Sequence, residues 1–179
     1  MKALVVYGTR GGATKQIADE IGKTLDEQGF AATVRNAKET RGIDVNAYDL
    51  VIVGSSVWAT MWKRQATGFV KRNAKKLAGK KVALFSSGLL GSEPAKADEA
   101  RKSIERQSAK FPAIRPLALA YFGGYVDFEH PPFFARPMAT AMKKDLEKKG
   151  VAVGKSYDTR DFAAIRNWAA EVAARAKQA

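Results

Sequence analysis

The 179-residue sequence predicts an α/β fold built on a parallel sheet, and three observations carry that prediction. Short β-rich apolar runs alternate with segments whose apolar residues recur at helical spacing. The runs at 3–7, 50–53, 82–85 and 117–122 are each followed by Gly or Ser, where a buried strand hands over to a loop. No internal repeat, low-complexity tract or break in composition divides the chain, so residues 1–179 are expected to form one domain.

Taken in order, Ala3-Leu4-Val5-Val6-Tyr7 reads as a strand buried on both faces. Ile17, Ala18, Ile21 and Leu25 then mark a helix from Thr14 to Gln28, which Gly29 stops. Thr33-Val34 marks a second strand. Leu50 to Val53 is a third, closing on Gly54-Ser55-Ser56. Ala66, Phe69, Val70, Asn73 and Leu77 predict one helix ahead of Gly79, and Val82 to Phe85 a fourth strand ending at Ser86-Ser87-Gly88. Residues 94–110 read as an Ala-rich helix. Leu117 to Phe122 is the fifth strand. The segment 125–149 begins aromatic and proline-rich and then turns helical, with Pro137 acceptable in a first turn. Phe162, Ile165, Trp168, Ala169 and Val172 share one face of a last helix, with Asp158 or Thr159 expected as its N-cap.

Composition removes several chemistries. There is no cysteine, which excludes disulfides, thiolate metal sites and thiol nucleophiles. His130 is the sole histidine, which excludes a multi-histidine metal site. No apolar run approaches the roughly 18 residues of a membrane span, and the apolar start is too short for a signal peptide. A cytoplasmic location is therefore expected. Thirty-one Lys plus Arg against 18 Asp plus Glu leave a net charge of +13, which bears on partners and not on fold. Nucleic acid is not expected among them, since the basic residues are not interleaved with aromatics as stacking platforms would be.

The strongest local signal is Gly8-Thr9-Arg10-Gly11-Gly12-Ala13-Thr14, between the first strand and the first helix. In a parallel sheet this loop lies at the carboxyl end of a strand, where open α/β folds bind ligands. Glycines let backbone approach a ligand, and the following helix points unpaired N–H groups into the loop. Thr9 and Thr14 add hydroxyls and Arg10 a charge, a set that suits a phosphate monoester. It is not a Walker loop, because no Gly-Lys-Ser/Thr closes it. Nor do Gly8, Gly11 and Gly12 have the spacing of the dinucleotide fingerprint.

At these residues the chain resembles the flavodoxin family, and the form from Thr9 to Thr14 most resembles that of its menaquinone-dependent protoporphyrinogen oxidases. Gly54-Ser55-Ser56-Val57-Trp58 and Phe85-Ser86-Ser87-Gly88 extend the likeness. The resemblance implies a three-layer flavodoxin-like fold, with five parallel strands in order 2-1-3-4-5 and helices on both faces. It also implies an FMN whose phosphate sits on Thr9, Arg10, Gly11, Gly12, Ala13 and Thr14. The ring would lie between Ser55, Ser56, Val57, Trp58, Ala59 and Thr60 on one side and Ser86, Ser87, Gly88, Leu89, Leu90 and Gly91 on the other. By the same resemblance the protein is an oxidoreductase moving electrons or hydride to or from a small organic substrate or quinone, with protoporphyrinogen as substrate. Gly11 departs from the family by replacing a hydroxyl residue common in electron carriers, and Leu89-Leu90 by following Gly88 where those carriers are polar or acidic.

Trp58 is the preferred ring contact because it follows the Ser-Ser step, whereas Trp62 suits either the ring or the core. Lys63, Arg64, Lys71, Arg72, Lys75, Lys76, Lys80 and Lys81 fall in a stretch free of acids. Positive charge stabilises an anionic reduced ring, so a less negative potential than that of an acidic flavodoxin is expected; the bland alternative is a solvated helix face. Phe128, Phe133, Phe134 and Met138 form either an apolar lip or packing against the sheet. Tyr125 and Asp127 are candidates for a further wall, and His130 reads as a polar loop residue. Two other readings remain open. One replaces FMN with the deazaflavin coenzyme F-420, whose anionic tail the basic residues would meet. The other is an electron shuttle docking on an acidic redox partner. The basic surface also suits peripheral contact with an anionic membrane face.

Overall fold

The computed structural model describes residues 1–58, 60–92, 94–131 and 133–178. Five parallel strands form its centre: β1 (Lys2–Gly8), β2 (Ala31–Asn36), β3 (Leu50–Trp58), β5 (Lys81–Ser87) and β6 (Ala118–Phe122). Their order is β2-β1-β3-β5-β6, with the short β4 (Met61–Trp62) paired antiparallel to the end of β3. Counting parallel strands alone, this is the 2-1-3-4-5 order expected from the resemblance.

Side chains alternate across the sheet, so each strand feeds two apolar layers. Ala3, Val5, Ile52, Ala83 and Phe85 meet α1 (Ala13–Glu27) and α6 (Phe162–Gln178) through Ile17, Ile21, Ile165, Ala169 and Val172. Leu4, Val6, Val51, Val53, Val82 and Leu84 meet the other layer, where Phe69, Leu77 and Ile104 come from α2 (Arg64–Arg72), α3 (Ala74–Leu77) and α4 (Ala97–Ser108). Continuous apolar strands are thus covered on both faces, as their sequence requires.

Several elements differ from the sequence expectation. β3 runs on through Gly54-Ser55-Ser56 to Trp58 instead of ending there. Gly54 pairs with Phe85, and a Cβ at Gly54 would fall 2.0 Å from the Phe85 ring, so glycine here makes room for a neighbour within a strand. The helix expected over 66–77 is broken at Asn73, whose side-chain amide donates to the Phe69 carbonyl at 2.9 Å and competes with the helical ladder. Helix α4 starts at Ala97, after 3₁₀ turns at Leu89–Ser92 and Pro94–Lys96. The N-cap of α6 is Asp161, which accepts from the Ala164 N–H at 2.9 Å. Asp158 is instead held by Arg160, at 2.8 Å from Nε and 2.6 Å from Nη2, and belongs to a strand.

That strand belongs to a feature periodicity did not show. β7 (Tyr125–Asp127) and β8 (Ser156–Asp158) form an antiparallel pair off the end of β6, and α5 (Arg136–Lys148) lies in the excursion between them. Three-residue strands are too short to reveal alternation. Pro137 lies in the first turn of α5, as expected. Among the described residues, no helix is long and apolar enough to cross a membrane.

Candidate functional site

A cleft of about 880 Å³ opens at the carboxyl ends of β1, β3, β5 and β6, the position at which a doubly wound sheet leaves room for ligands. One end is the β1–α1 loop. Gly12 takes φ 91°, a conformation that costs a glycine little, and its N–H donates to Thr9 Oγ1 at 2.9 Å. Helix geometry leaves the Ala13 and Thr14 amides without an intrahelical acceptor, and no side chain caps the helix at Gly12. Thr14 is buried, and its hydroxyl meets Ser87 Oγ at 2.8 Å, tying the loop to the end of β5. These amides and the Arg10 charge suit an anion.

The hairpin of β3 and β4 forms the next wall. Its turn includes Thr60, which takes φ 64° and whose carbonyl accepts from the Gln107 side chain. Trp58 is half-buried in the cleft, and the Arg10 guanidinium carbon lies 5.0 Å from its ring centroid, a cation–π distance. Trp62 faces the other way. Its Nε1 donates to Ser86 Oγ at 2.8 Å and its ring packs 6.2 Å from Phe111, so it is a core residue. Ser86 is thereby turned from the cleft. Ser55 is fully buried too, accepting from the Lys63 N–H at 2.9 Å and donating to the Ser56 carbonyl at 3.0 Å. Lys63 titrates below its ordinary range because it is partly desolvated and faces the Arg10 and Lys38 charges.

Gly88, Leu89 and Leu90 form the third wall with Tyr121 behind them. Burial pushes the Tyr121 phenol up to about 12, with a hydrogen bond from the Leu90 backbone pulling weakly the other way. Beyond Leu90 the cleft continues into the β7–α5–β8 excursion, where Met138, Ala139, Met142 and Leu146 of α5 face Val126 and Tyr157. Lys96, Asp145 and Lys149 lie in this part as well.

A flavodoxin domain model matches residues 4–151. The chain belongs to the flavodoxin domain family. Among curated relatives it is similar to the protoporphyrinogen IX dehydrogenase [quinone] of Escherichia coli K12, with 27% identity over 97% of this chain and 95% of that protein. The protein of the same name from Leishmania major is 25% identical over 97% of this chain and 75% of its own length. Among solved structures, a flavodoxin from the domain Archaea superposes with a TM-score of 0.56 at 19% identity, covering 99% of both chains.

In this flavodoxin-domain protein the cleft gathers Thr9, Arg10, Gly11, Ala13, Thr14, Ser56, Val57, Trp58, Thr60, Ser87, Gly88, Leu89 and Leu90 from the residues singled out in the sequence. Gly12, Ser55 and Ser86 are not part of its lining, and Ala59 and the exposure of Gly91 lie outside what the structure describes. Gly12 acts by shaping the loop; Ser55 and Ser86 fasten the hairpin and Trp62 from behind. Of the apolar-lip candidates, Met138 joins the cleft and Phe133 is 84% exposed, while Phe128 is half-buried outside it. Pro132 and the Phe134 side chain lie outside what the structure describes. Tyr125, Asp127 and His130 do line the cleft. Backbone N–H groups of His130 and Glu129 hold the Asp127 carboxyl below its usual range.

The donor set fits a phosphate joined to a flat heteroaromatic ring. Ser56 Oγ decides the fit: it is buried at the cleft and, among the described residues, has no hydrogen-bond partner. Such a group needs a ligand or water to offset its desolvation. Tyr121, Met142, Leu146 and Tyr157 were missed as site residues. Met138, Met142 and Leu146 recur at four-residue spacing, a signal of one helix face that was available in the sequence.

Proposed function

We propose that this chain is a flavodoxin-type oxidoreductase that holds FMN between the β1–α1 loop and Trp58 and oxidises a flat organic substrate of the protoporphyrinogen type, with a quinone as electron acceptor. One observation carries the reading: a single cleft joins the amide-rich loop and Trp58 to an apolar wall from α5, leaving room for a second flat ligand beside the first. An enzyme whose two substrates meet the flavin needs that second compartment. The activities named for the relatives from Escherichia coli and Leishmania major support the same reading.

The Ala13 and Thr14 amides would bind the phosphate, with Arg10 offsetting its charge. Trp58 would stack on the ring and Ser56 Oγ would meet its polar edge. FMN, when bound, supplies a ring that takes up and releases electrons in pairs. Each turnover removes two electrons and two protons from the organic substrate and delivers two electrons and two protons to the quinone. Leu89, Leu90 and the α5 wall exclude water from that exchange. Tyr121 keeps its proton through the neutral range, since its phenol titrates near 12.

Phe133, with the Arg136 guanidinium carbon 5.8 Å from its ring, presents an apolar and cationic pair that suits an anionic membrane surface, where quinones reside. Phe133→Ser should then lower co-sedimentation with phosphatidylglycerol vesicles, and unchanged co-sedimentation would remove the membrane contact. The central test is acid release of the bound chromophore with mass spectrometry, followed by anaerobic turnover of protoporphyrinogen IX with menadione. FMN at one per chain and quinone-dependent oxidation are expected. A released deazaflavin would replace the cofactor, and reduction by a protein donor without small-molecule turnover would make the protein a shuttle.

A further inference from the structure

Among the described residues, Thr60 is the one non-glycine at positive φ, 64°, and it lies in the turn of the β3–β4 hairpin. A β-branched residue is strained there, and such a conformation persists only where its surroundings hold it. The ladder below the turn is short: Val57 pairs with Trp62, and Trp58 with Met61 in the last rung. The inner end of the hairpin is fastened by Trp62 to Ser86 and by the Lys63 N–H to Ser55. The turn is held from another element. Gln107, in the last turn of α4 and 2% exposed, donates from Nε2 to the Thr60 carbonyl. Its Oε1 accepts from Lys110 Nζ at 3.0 Å. A cationic donor on Oε1 leaves the NH₂ end for Thr60, so Lys110 sets which way the amide points and polarises it as a donor.

We propose that Gln107, oriented by Lys110, is a positioning residue for the cofactor wall: it holds Thr60 in the left-handed conformation and so presets Trp58 before a ring arrives. The proposal rests on the reading of Trp58 as the wall on which the flavin stacks. A wall already in place spares the ligand the ordering that binding would otherwise have to accomplish, and affinity rises accordingly. Without the Gln107 donor the exposed Thr60 carbonyl takes water instead, and strain favours a return of its φ to negative values. Trp58, two residues back in the chain, then loses its fixed place in the cleft. Glycine at this position would carry no such strain, so a Thr60→Gly chain depends less on Gln107. That dependence separates holding the turn from filling space in the core.

Two measurements on the full chain test this: fluorescence titration with FMN, and hydrogen–deuterium exchange of the β3–β4 hairpin in the ligand-free protein. Gln107→Met keeps the side-chain length and removes the donor. It should weaken FMN by about tenfold and speed exchange in the hairpin by about threefold or more, with β1 exchanging as in wild type. In a Thr60→Gly chain the same substitution should cost less than about threefold in FMN affinity. Lys110→Ala, at an exposed side chain, should weaken FMN by about twofold to threefold. FMN affinity of Gln107→Met within about twofold of wild type would overturn the proposal. So would unchanged hairpin exchange, or an equal loss of affinity with and without Thr60→Gly. If Gln107→Met fails to fold, Lys110→Ala decides, and wild-type affinity and exchange in that variant overturn the proposal. A wild-type chain that takes up no FMN overturns the flavin reading beneath it, while hairpin exchange still reports whether Gln107 holds the turn.

Discussion

Thr14 Oγ1 and Ser87 Oγ lie 2.8 Å apart across the floor of the cleft, joining the first turn of α1 to the last residue of β5. Both side chains are nearly fully buried, so each hydroxyl depends on the other. Thr14→Val should orphan Ser87 and lower the stability of the ligand-free protein by about 1–3 kcal/mol, read as a shift in urea midpoint. Thr14→Ser should keep the bond and most of the stability. Adding Ser87→Ala to Thr14→Val should recover part of the loss. Equal midpoints for wild type and Thr14→Val would show that the bond contributes nothing.

Gly12 and Gly11 should respond in opposite ways although they are neighbours. Gly12 sits at φ 91°, so Gly12→Val strains the backbone by about 1–2 kcal/mol and tilts the amides beside it. A Cβ at Gly11 meets nothing within 4 Å, so Gly11→Ala should leave folding unchanged. The expected pattern is lower thermal stability and weaker FMN retention for Gly12→Val alone. If both variants retain FMN as wild type does, the loop is not the anchor.

The parallel sheet and the β1–α1 loop were legible in the sequence because apolar runs and a glycine-rich turn are local signals. The β3–β4 hairpin was not. Gly54-Ser55-Ser56 looks like a strand end, and the Phe85 ring from the neighbouring strand explains the glycine in mid-strand. Ser55 and Ser86 read as ligand contacts because residue type does not say which face of a strand a hydroxyl takes; their partners, Lys63 and Trp62, lie 8 and 24 residues away. The α5 wall was half visible, through the helical spacing of Met138, Met142 and Leu146. Its place over the cleft depends on the pairing of β7 with β8, which no local pattern announces.

Tyr121 gives the fold an alkaline limit. Its phenol titrates near 12 in the folded protein against about 10 in an unfolded chain. Between those values the folded state holds a proton that the unfolded state has lost. The stability associated with Tyr121 is therefore complete below about pH 10 and falls as pH rises toward 12. Tyr121→Phe should flatten that part of the stability curve, measured by urea titration between pH 9 and about 11.5. A wild-type slope retained in the variant would assign it to another group.

Arg10 should set the sign of the flavin's electrostatic environment. The basic stretch after Thr60 suggested a positive field, but none of its eight lysines and arginines lines the cleft. Lys76 pairs with Asp44 at 3.3 Å, Lys80 Nζ donates to the Tyr48 carbonyl at 2.7 Å and Lys81 Nζ to the Ala176 carbonyl at 2.6 Å, all away from the cleft. Lys63 stands close enough to Arg10 for the two charges to repel, yet does not line the cavity. Arg10 does line it, beside Trp58. Were a flavin ring stacked on that indole, as proposed, the guanidinium would stabilise negative charge on its reduced form more than on the oxidised one. Arg10→Gln should accordingly make the two-electron potential of the FMN-loaded protein more negative, and Arg10→Lys should restore part of the difference. Spectroelectrochemical titration of the three proteins reads the order directly. A potential unchanged in Arg10→Gln, or one moved in the positive direction, would place the ring away from Trp58.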